Sequence, residues 1–413
     1  MRIAIVSDFY LDYVGGAQSS IHEQRAALLE AGHGVFLISN VRPRRGRPES
    51  QLESQLGPEH GPDLEIRPSY TVPGVDLPIV GASKKLIATL CDYLRDNRID
   101  IVHLQTEFGL AHAATTAAHE VGLPVVHTVH TFYWQSAGFL PTLVSPLLKV
   151  GLENVTGVRF PRRHYVSRPS DNLLRNLTMA MAQRADVVVS PSAHQAADLA
   201  TAGLMPPIVV VPNPIARSPR PAQLLSADLA ARRRLLWVAR CEPEKRPLVF
   251  AEAVINALER TGNGFEVDFV GDGSELAQLR KLVAGHPQIR VHGELGHDAV
   301  IDLIDSSAMV VLTSVGFDNQ PMTIAEASSR YRGVLYCDPL LAEGLANSGH
   351  LSATPDVHGI SDAIVELVSD PARLRSLSLG AQKDSATFSA ATYVQRITSV
   401  YEEAAERITS SAD

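Results

Sequence analysis

The sequence predicts an α/β protein made of two doubly wound domains, and three observations predict it. Short apolar runs rich in Val and Ile recur along most of the 413 residues. Continuous rather than alternating apolar runs mark strands covered on both faces, the habit of parallel sheets. Longer amphipathic stretches separate the runs, and strand–helix alternation selects a parallel sheet. The alternation then halts once, across residues 212–233 with their four prolines, and restarts.

The elements follow in order. IAIVS (3–7) opens the chain, and a helical pattern spans 17–32. VFLIS (35–39), a helix over 86–97, IVHL (101–104), VVHTV (125–129), VVVS (187–190) and IVVV (208–211) complete the first half. The segment 212–233 shows no strand pattern and reads as a linker. LLWVA (235–239), VDFVG (267–271), IRVHG (289–293), AMVVLTS (308–314) and GVLYCD (333–338) form the second set, with helices between. The periodic stretch 391–407 reads as a last helix. The domains expected are 1–215, with the C-terminal helix 391–413 packing back on it, and 216–390. Doubly wound sheets bind ligands outside the carboxyl ends of their strands, so a cleft between two such ends is expected.

Bulk properties exclude several classes. Hydrophobic residues make up 45% and charged residues 20%, as in a chain with a large core. A net charge of −8 opposes a general nucleic-acid binder. Cys91, Cys241 and Cys337 have no paired spacing, so neither a disulfide framework nor a zinc site is expected. MRIAIVSDFY reads as a strand and not as a signal peptide, and no apolar run reaches the ~18 residues of a membrane span. A cytoplasmic protein is expected.

Residues directly after strands carry the candidate chemistry. Gly15 and Gly16 precede a helix after the first strand, where backbone N–H groups can approach an anion. The G-x-G-x-x-G pattern of a dinucleotide site is absent there. His103, His127 and His130 invite a metal reading, but no carboxylate or cysteine stands at ligand spacing, so no metal is expected. His103 and His127 read as satisfied near-core residues, and His130, at a strand's carboxyl end, as a substrate contact. Arg240 and Lys245 lie between a strand and a helix, suited to a diphosphate. Gly271-Asp272-Gly273 forms a tight turn opening a helix. TSVGFDNQPMTIAEASS (313–329) puts Asp318 in a loop and Glu326 in the following helix, with Pro321 suited to the first helical position.

These pieces, in this order and spacing, resemble glycosyltransferase family 4, a family of retaining enzymes with the two-domain GT-B fold. Its strongest signature is two carboxylates separated by seven residues, usually both Glu; here it reads Asp318…Glu326. The resemblance implies that Arg240 and Lys245 hold the diphosphate of a UDP- or GDP-linked hexose. Glu326 would bind the ribose, while Asp318 and the backbone of Asn319, Gln320, Pro321 and Met322 would cradle sugar and phosphate. Gly16 would lie near the phosphates, His130 near the transferred sugar, and Asp272 and Gly273 near the base. Asn213 matches a linker motif in which Pro214 replaces the usual glycine. No metal or other cofactor is implied.

The segment around 100–135 looks most like lipid-directed members. Residues 136–169 join an apolar stretch to Arg159, Arg162, Arg163 and Arg168, suited to an acceptor at an anionic membrane surface. A soluble acceptor remains open at this point, as do a GT-B nucleotide-sugar epimerase and a non-catalytic sugar-nucleotide-binding protein.

Overall fold

The computed structural model describes residues 1–12, 16–42, 61–72, 77–130, 132–133, 145–215, 220–262 and 264–412. Gly15 and residues 136–144 lie outside these. The chain divides into two compact units: Met1–Pro214 together with Ala390–Asp413, and Ile215–Ser389.

The first unit contains strands β1 (Arg2–Tyr10), β2 (Gly34–Asn40), β3 (Leu64–Ile66), β4 (Tyr70–Val72), β5 (Leu77–Ile79), β6 (Ile101–Leu104), β7 (Val125–Thr128), β8 (Val187–Ser190) and β9 (Ile208–Val210). Seven form one parallel sheet in the order β3-β2-β1-β6-β7-β8-β9, and β4 and β5 pair antiparallel. Its helices are α1 (Gly16–Glu30), α2 (Lys84–Asp96), α3 (Gly109–Val121), α4 (Ser145–Thr156), α5 (Pro169–Ala182) and α6 (Ala193–Thr201), with Ala390–Ala412 returning to it.

The period-2 rule shows in β1, whose residues Ile3 to Val6 are all fully buried. Ile3 and Ile5 join Ile21 and Leu28 of α1 and Ile397, Val400 and Tyr401 of the returning helix. Ala4 and Val6 face the other way, toward Leu90, Leu94, Leu110 and Leu177. Each such Ile, Leu or Val side chain contributes about 1.5–3 kcal/mol by leaving water. The start of α3 is sealed by Asp8, which is fully buried. Its carboxylate accepts from the N–H groups of Phe108, Leu110 and Ala111 and from Thr106 Oγ1.

The second unit contains β10 (Arg234–Val238), β11 (Glu266–Val270), β12 (Ile289–Gly293), β13 (Met309–Leu312), β14 (Gly333–Tyr336) and β15 (Gly349–Leu351). They form a parallel sheet in the order β12-β11-β10-β13-β14-β15. Its helices are α7 (Ala227–Arg232), α8 (Pro247–Thr261), α9 (Leu276–Val283), α10 (His297–Ser306), α11 (Met322–Ser329), α12 (Val357–Ser369) and α13 (Pro371–Asp384); Ala390–Ala412 is then α14. Leu235 and Trp237 pack with Phe250, Phe269 and Leu367, whereas Leu236 joins Ile304 and Ile324 on the opposite face.

The linker expected over 212–233 is not a linker throughout. It contains α7, and Leu225 and Ala230 are buried in the core of the second unit. The apolar side chains of a six-residue helix give too little periodicity to stand out beside four prolines.

Both sheets reverse their winding at one place. In the first unit this lies between β1 and β6, and in the second between β10 and β13. At such a switch point the connections leave in opposite directions, and a crevice opens beyond the carboxyl ends of the two strands.

Candidate functional site

In the second unit the switch-point strands β10 and β13 end on the residues singled out for phosphate chemistry. After β10 the chain runs through Arg240 into a short 3-10 turn, Pro243–Lys245, and then into α8. After β13 it runs through Asp318 to α11. Tertiary folding brings Lys245 and Asp318, 73 positions apart, into a direct ion pair. Their side chains are only 14% and 10% exposed. Lys245 Nζ also lies over the Phe317 ring, 5.4 Å from its centroid. The second carboxylate oxygen of Asp318, Oδ2, is buried and has no hydrogen-bond partner. Arg240 differs: it is 61% exposed and pairs with Glu244 at 3.0 Å.

Backbone contacts hold the two loops in register. Thr313 Oγ1 donates to the carbonyl of Lys245 (2.7 Å), and Trp237 Nε1 donates to Thr313 Oγ1 (2.9 Å). Thr323 Oγ1 donates to the Val238 carbonyl at 3.2 Å. Arg246 adopts a left-handed backbone, φ 59°, and its guanidinium reaches the carbonyls of Thr313 and Pro355. No sequence signal marks that conformation, since arginine rarely adopts it.

The α11 amino terminus has no side-chain cap. Pro321 occupies the cap position, not the first helical turn, because its ψ of 119° is extended. The Ile324 N–H donates to the Pro321 carbonyl at 3.1 Å, which leaves the N–H groups of Met322 and Thr323 for an anion. Asn319, Gln320, Pro321 and Met322 are all partly exposed along this approach. Glu326, one turn further on, is 19% exposed, with Oε1 4.0 Å from His297 Nδ1. Burial pushes its carboxyl above the usual range, against a smaller downward pull from His297.

Gly271 and Gly273 have a steric reason to be glycine. A Cβ on Gly271 would stand 1.8 Å from the Ala239 carbonyl oxygen, and one on Gly273 2.6 Å from that of Cys241. The turn therefore lies flat against the Arg240 loop. Asp272 contributes its carbonyl to the Cys241 N–H, at 2.8 Å.

In the first unit, Gly16 begins α1, is exposed, and has open space where a Cβ would sit. His130 follows β7 and is half-buried, with Nε2 2.8 Å from Gln105 Oε1. Burial lowers its pKa to about 4, so it is neutral. His103 is fully buried and bonded to Thr128 and Tyr401. His127 departs from expectation: it is fully buried, yet neither ring nitrogen has a partner. Alternate strand residues point to opposite faces, and that of His127 offers no acceptor. Among the described residues, no cluster of three or more His, Cys, Asp or Glu could hold a metal.

Arg159, Arg162 and Arg163 lie exposed on the arm between α4 and α5. The arm is pinned by two asparagines that sequence reasoning missed. Asn176 bonds both the N–H and the carbonyl of Arg163, and Asn172 accepts from Tyr165 and Val166. A cavity of about 190 Å³ lies there, lined by Lys149, Phe160, Arg162, Arg163, His164 and Leu173 among others. Leu147, Leu148 and Val150 on α4 are 75%, 41% and 53% exposed. No helix among the described residues is long and apolar enough to cross a membrane.

Two doubly wound units, with paired cationic and acidic groups beyond the switch-point strands of the second, define a GT-B glycosyltransferase fold. The family model for Glycosyltransferase Family 4 matches residues 14–218, and that for Glycosyl transferases group 1 matches 232–370. The chain belongs to family 4 of the glycosyltransferases, carrying one domain of each kind. It is 29% identical over 168 residues to an alpha-monoglucosyldiacylglycerol synthase of Streptococcus pneumoniae, a match covering 39% of this chain and 35% of that protein. It is 27% identical over 131 residues to a GDP-mannose-dependent alpha-mannosyltransferase of Corynebacterium glutamicum, covering 32% and 29%. The matched stretches thus span about a third of these relatives' lengths. Among solved structures, Anabaena Alr3699/HepE in complex with UDP and glucose superposes with a TM-score of 0.67 at 15% identity, covering 97% of this chain and 99% of that one. TarM of Staphylococcus aureus gives 0.68 at 10% identity, covering 97% and 100%. At these identities the likeness is one of fold.

Proposed function

We propose that this chain is a retaining hexosyltransferase that uses a UDP- or GDP-linked sugar and transfers it to an acceptor hydroxyl. The observation that carries the reading is the Lys245–Asp318 pair, set with Arg240 beside the uncapped start of α11. Departure of a nucleoside diphosphate builds negative charge on the leaving oxygens. Arg240, Lys245 and the α11 N–H groups supply preorganised positive charge, each donor worth ~3–4 kcal/mol in a transition state. Glu326 binds the ribose hydroxyls, and Asp272 and Gly273 lie beside the base. The free Oδ2 of Asp318 accepts from a sugar hydroxyl. The chain's own cations meet the diphosphate, so the reaction needs no metal. Attack comes from the face the nucleotide leaves, with the departing phosphate taking the acceptor's proton.

The acceptor is a lipid or cell-envelope glycoconjugate. The exposed Leu147, Leu148 and Val150 beside Arg159, Arg162 and Arg163 support it, together with the diacylglycerol-directed name of one relative. On this reading the protein works at the inner face of a membrane without spanning it.

The test follows nucleotide release from UDP- and GDP-sugars with and without a lipid extract. Release that needs the extract, with sugar appearing on lipid in the α configuration, is expected. Release with no acceptor at all would point to an epimerase or hydrolase, and binding without release to a sugar-nucleotide-binding protein.

A further inference from the structure

The first unit holds a buried chain of polar side chains that the diphosphate chemistry does not use. It starts at His130, whose Nε2 meets Gln105 Oε1 at 2.8 Å. Gln105 is fully buried. Its Nε2 donates to Gln24 Oε1 at 2.9 Å and lies 3.2 Å from His103 Nε2. Gln24 Oε1 also accepts from the Tyr393 hydroxyl at 2.9 Å. The Gln24 amide nitrogen donates to Ser20 Oγ at 2.9 Å and Asn213 Oδ1 at 3.1 Å. His103 continues the chain, with Nε2 2.7 Å from Thr128 Oγ1 and Nδ1 2.8 Å from the Tyr401 hydroxyl.

An amide oxygen only accepts and an amide nitrogen only donates, so the order of the amides fixes the protons. Gln24 turns its oxygen to Gln105, which must present its own nitrogen there. The Gln105 oxygen then faces His130, and a ring N–H alone can satisfy it. His130 therefore carries its proton on Nε2. Among the described residues its ring makes no hydrogen bond other than the one at Nε2, which leaves Nδ1 as a lone pair. By the same logic His103 accepts from Gln105 at Nε2 and donates from Nδ1 to Tyr401. Burial keeps both rings neutral, lowering His130 to about 4 and His103 to about 3.

We propose that Gln105, itself held by Gln24, is a positioning residue that fixes His130 as its Nε2–H tautomer and presents Nδ1 as an acceptor for a ligand hydroxyl. The inference rests on the function proposed above and on the family resemblance, which sets His130 near the transferred sugar. The relay is also anchored at both passages of the chain between the units. Asn213 stands just before Ile215–Ser389, and Tyr393 just after it.

The test is a two-bond ¹H–¹⁵N correlation spectrum of the full chain labelled on histidine, with His130 assigned through His130→Gln. Wild type is expected to show His130 protonated at Nε2 and bare at Nδ1. Gln105→Met is expected to mix the tautomers and lower kcat for transfer ~10-fold while donor KM moves less than ~3-fold. Gln24→Met, one step further along, gives the same direction and stands in if Gln105→Met fails to fold. A wild-type His130 protonated at Nδ1, the pattern if both amides are turned over, overturns the proposal. So does an unmixed Nε2–H tautomer in both variants. Mixed tautomers with unchanged transfer would uphold the relay and remove His130 from the reaction, separating this inference from the function proposed above.

Discussion

At the scale of single residues, Arg240 and Lys245 sit on one loop but in different surroundings. The exposed Arg240–Glu244 pair is worth at most ~1 kcal/mol. Arg240→Ala is therefore expected to cut kcat/KM ~100-fold with an unchanged melting temperature. Lys245→Ala strips a largely buried carboxylate of its counter-ion, a change of the kind that costs ~3–5 kcal/mol. It should lower both turnover and melting temperature, and adding Asp318→Asn should restore stability but not rate. Thermal melts beside steady-state rates check this, and an unshifted melt for Lys245→Ala would show the pair to be loose. His127 offers a second case. Burial holds its pKa at about 3, against ~6.5 in an unfolded chain. The unfolded chain takes the proton first, so stability is full above pH ~6.5 and declines as pH falls toward 3. His127→Leu removes two buried unpartnered nitrogens and should add ~1 kcal/mol at pH 7. It should also flatten the acid limb of urea midpoints measured from pH 7 to 4. The placement of Arg240, Lys245 and Asp318 beyond strand ends, and of Glu326 in the helix that follows, was legible from the strand and helix patterns around them. Gln24 and Gln105 were not, because a glutamine in a helix or after a strand looks the same whether or not another side chain meets it.

At the scale of elements, the long strands were legible for the reason β1 illustrates: coverage on both faces leaves a continuous apolar run. Of the three-residue strands, β9 was legible because Val211 carries its apolar run to four residues, whereas β3, β4, β5 and β15 were not, since they have no such run and owe their pairing to neighbours. The arm between α4 and α5 shows the limit from another side. Its arginines stand out in the sequence, but the asparagines that shape it, Asn172 and Asn176, read as ordinary helix residues. With Leu147 and Val150 exposed on α4, the arm presents both an apolar and a basic surface. Each basic residue near an anionic bilayer contributes about 1 kcal/mol. Reversing Arg162 and Arg163 to Glu together should abolish sedimentation with anionic vesicles and lower transfer to lipid, with nucleotide affinity intact by calorimetry. Wild-type protein that ignores such vesicles would redirect the search to soluble acceptors.

At the scale of the whole molecule, the two units are built differently. The second is one continuous stretch, Ile215–Ser389, whereas the first is assembled from two separated stretches. The fragment 215–389 is expected to unfold cooperatively on its own and to bind a free nucleoside diphosphate in calorimetry. The fragment 1–389 lacks α14, and with it Tyr393, Ile397, Val400 and Tyr401, all buried against α1 and the sheet. It should lose cooperativity in the first unit and bind a hydrophobic dye. A cooperative, dye-negative 1–389 would mean that α14 adds little.

The placement of α14 also sets an order of events during synthesis. Domains usually complete themselves from the amino terminus onward as the ribosome advances. Here the first unit cannot close its face over Ile3, Ile5 and Leu28 until Ala390–Ala412 has emerged. At ~5–20 residues per second, it waits roughly 10–40 s while the second unit is made. Throughout that interval the nascent chain displays an apolar face of a parallel sheet, the kind of surface chaperones hold. The half that begins first is finished last, and a product ended near residue 389 would carry a whole second unit and an open first.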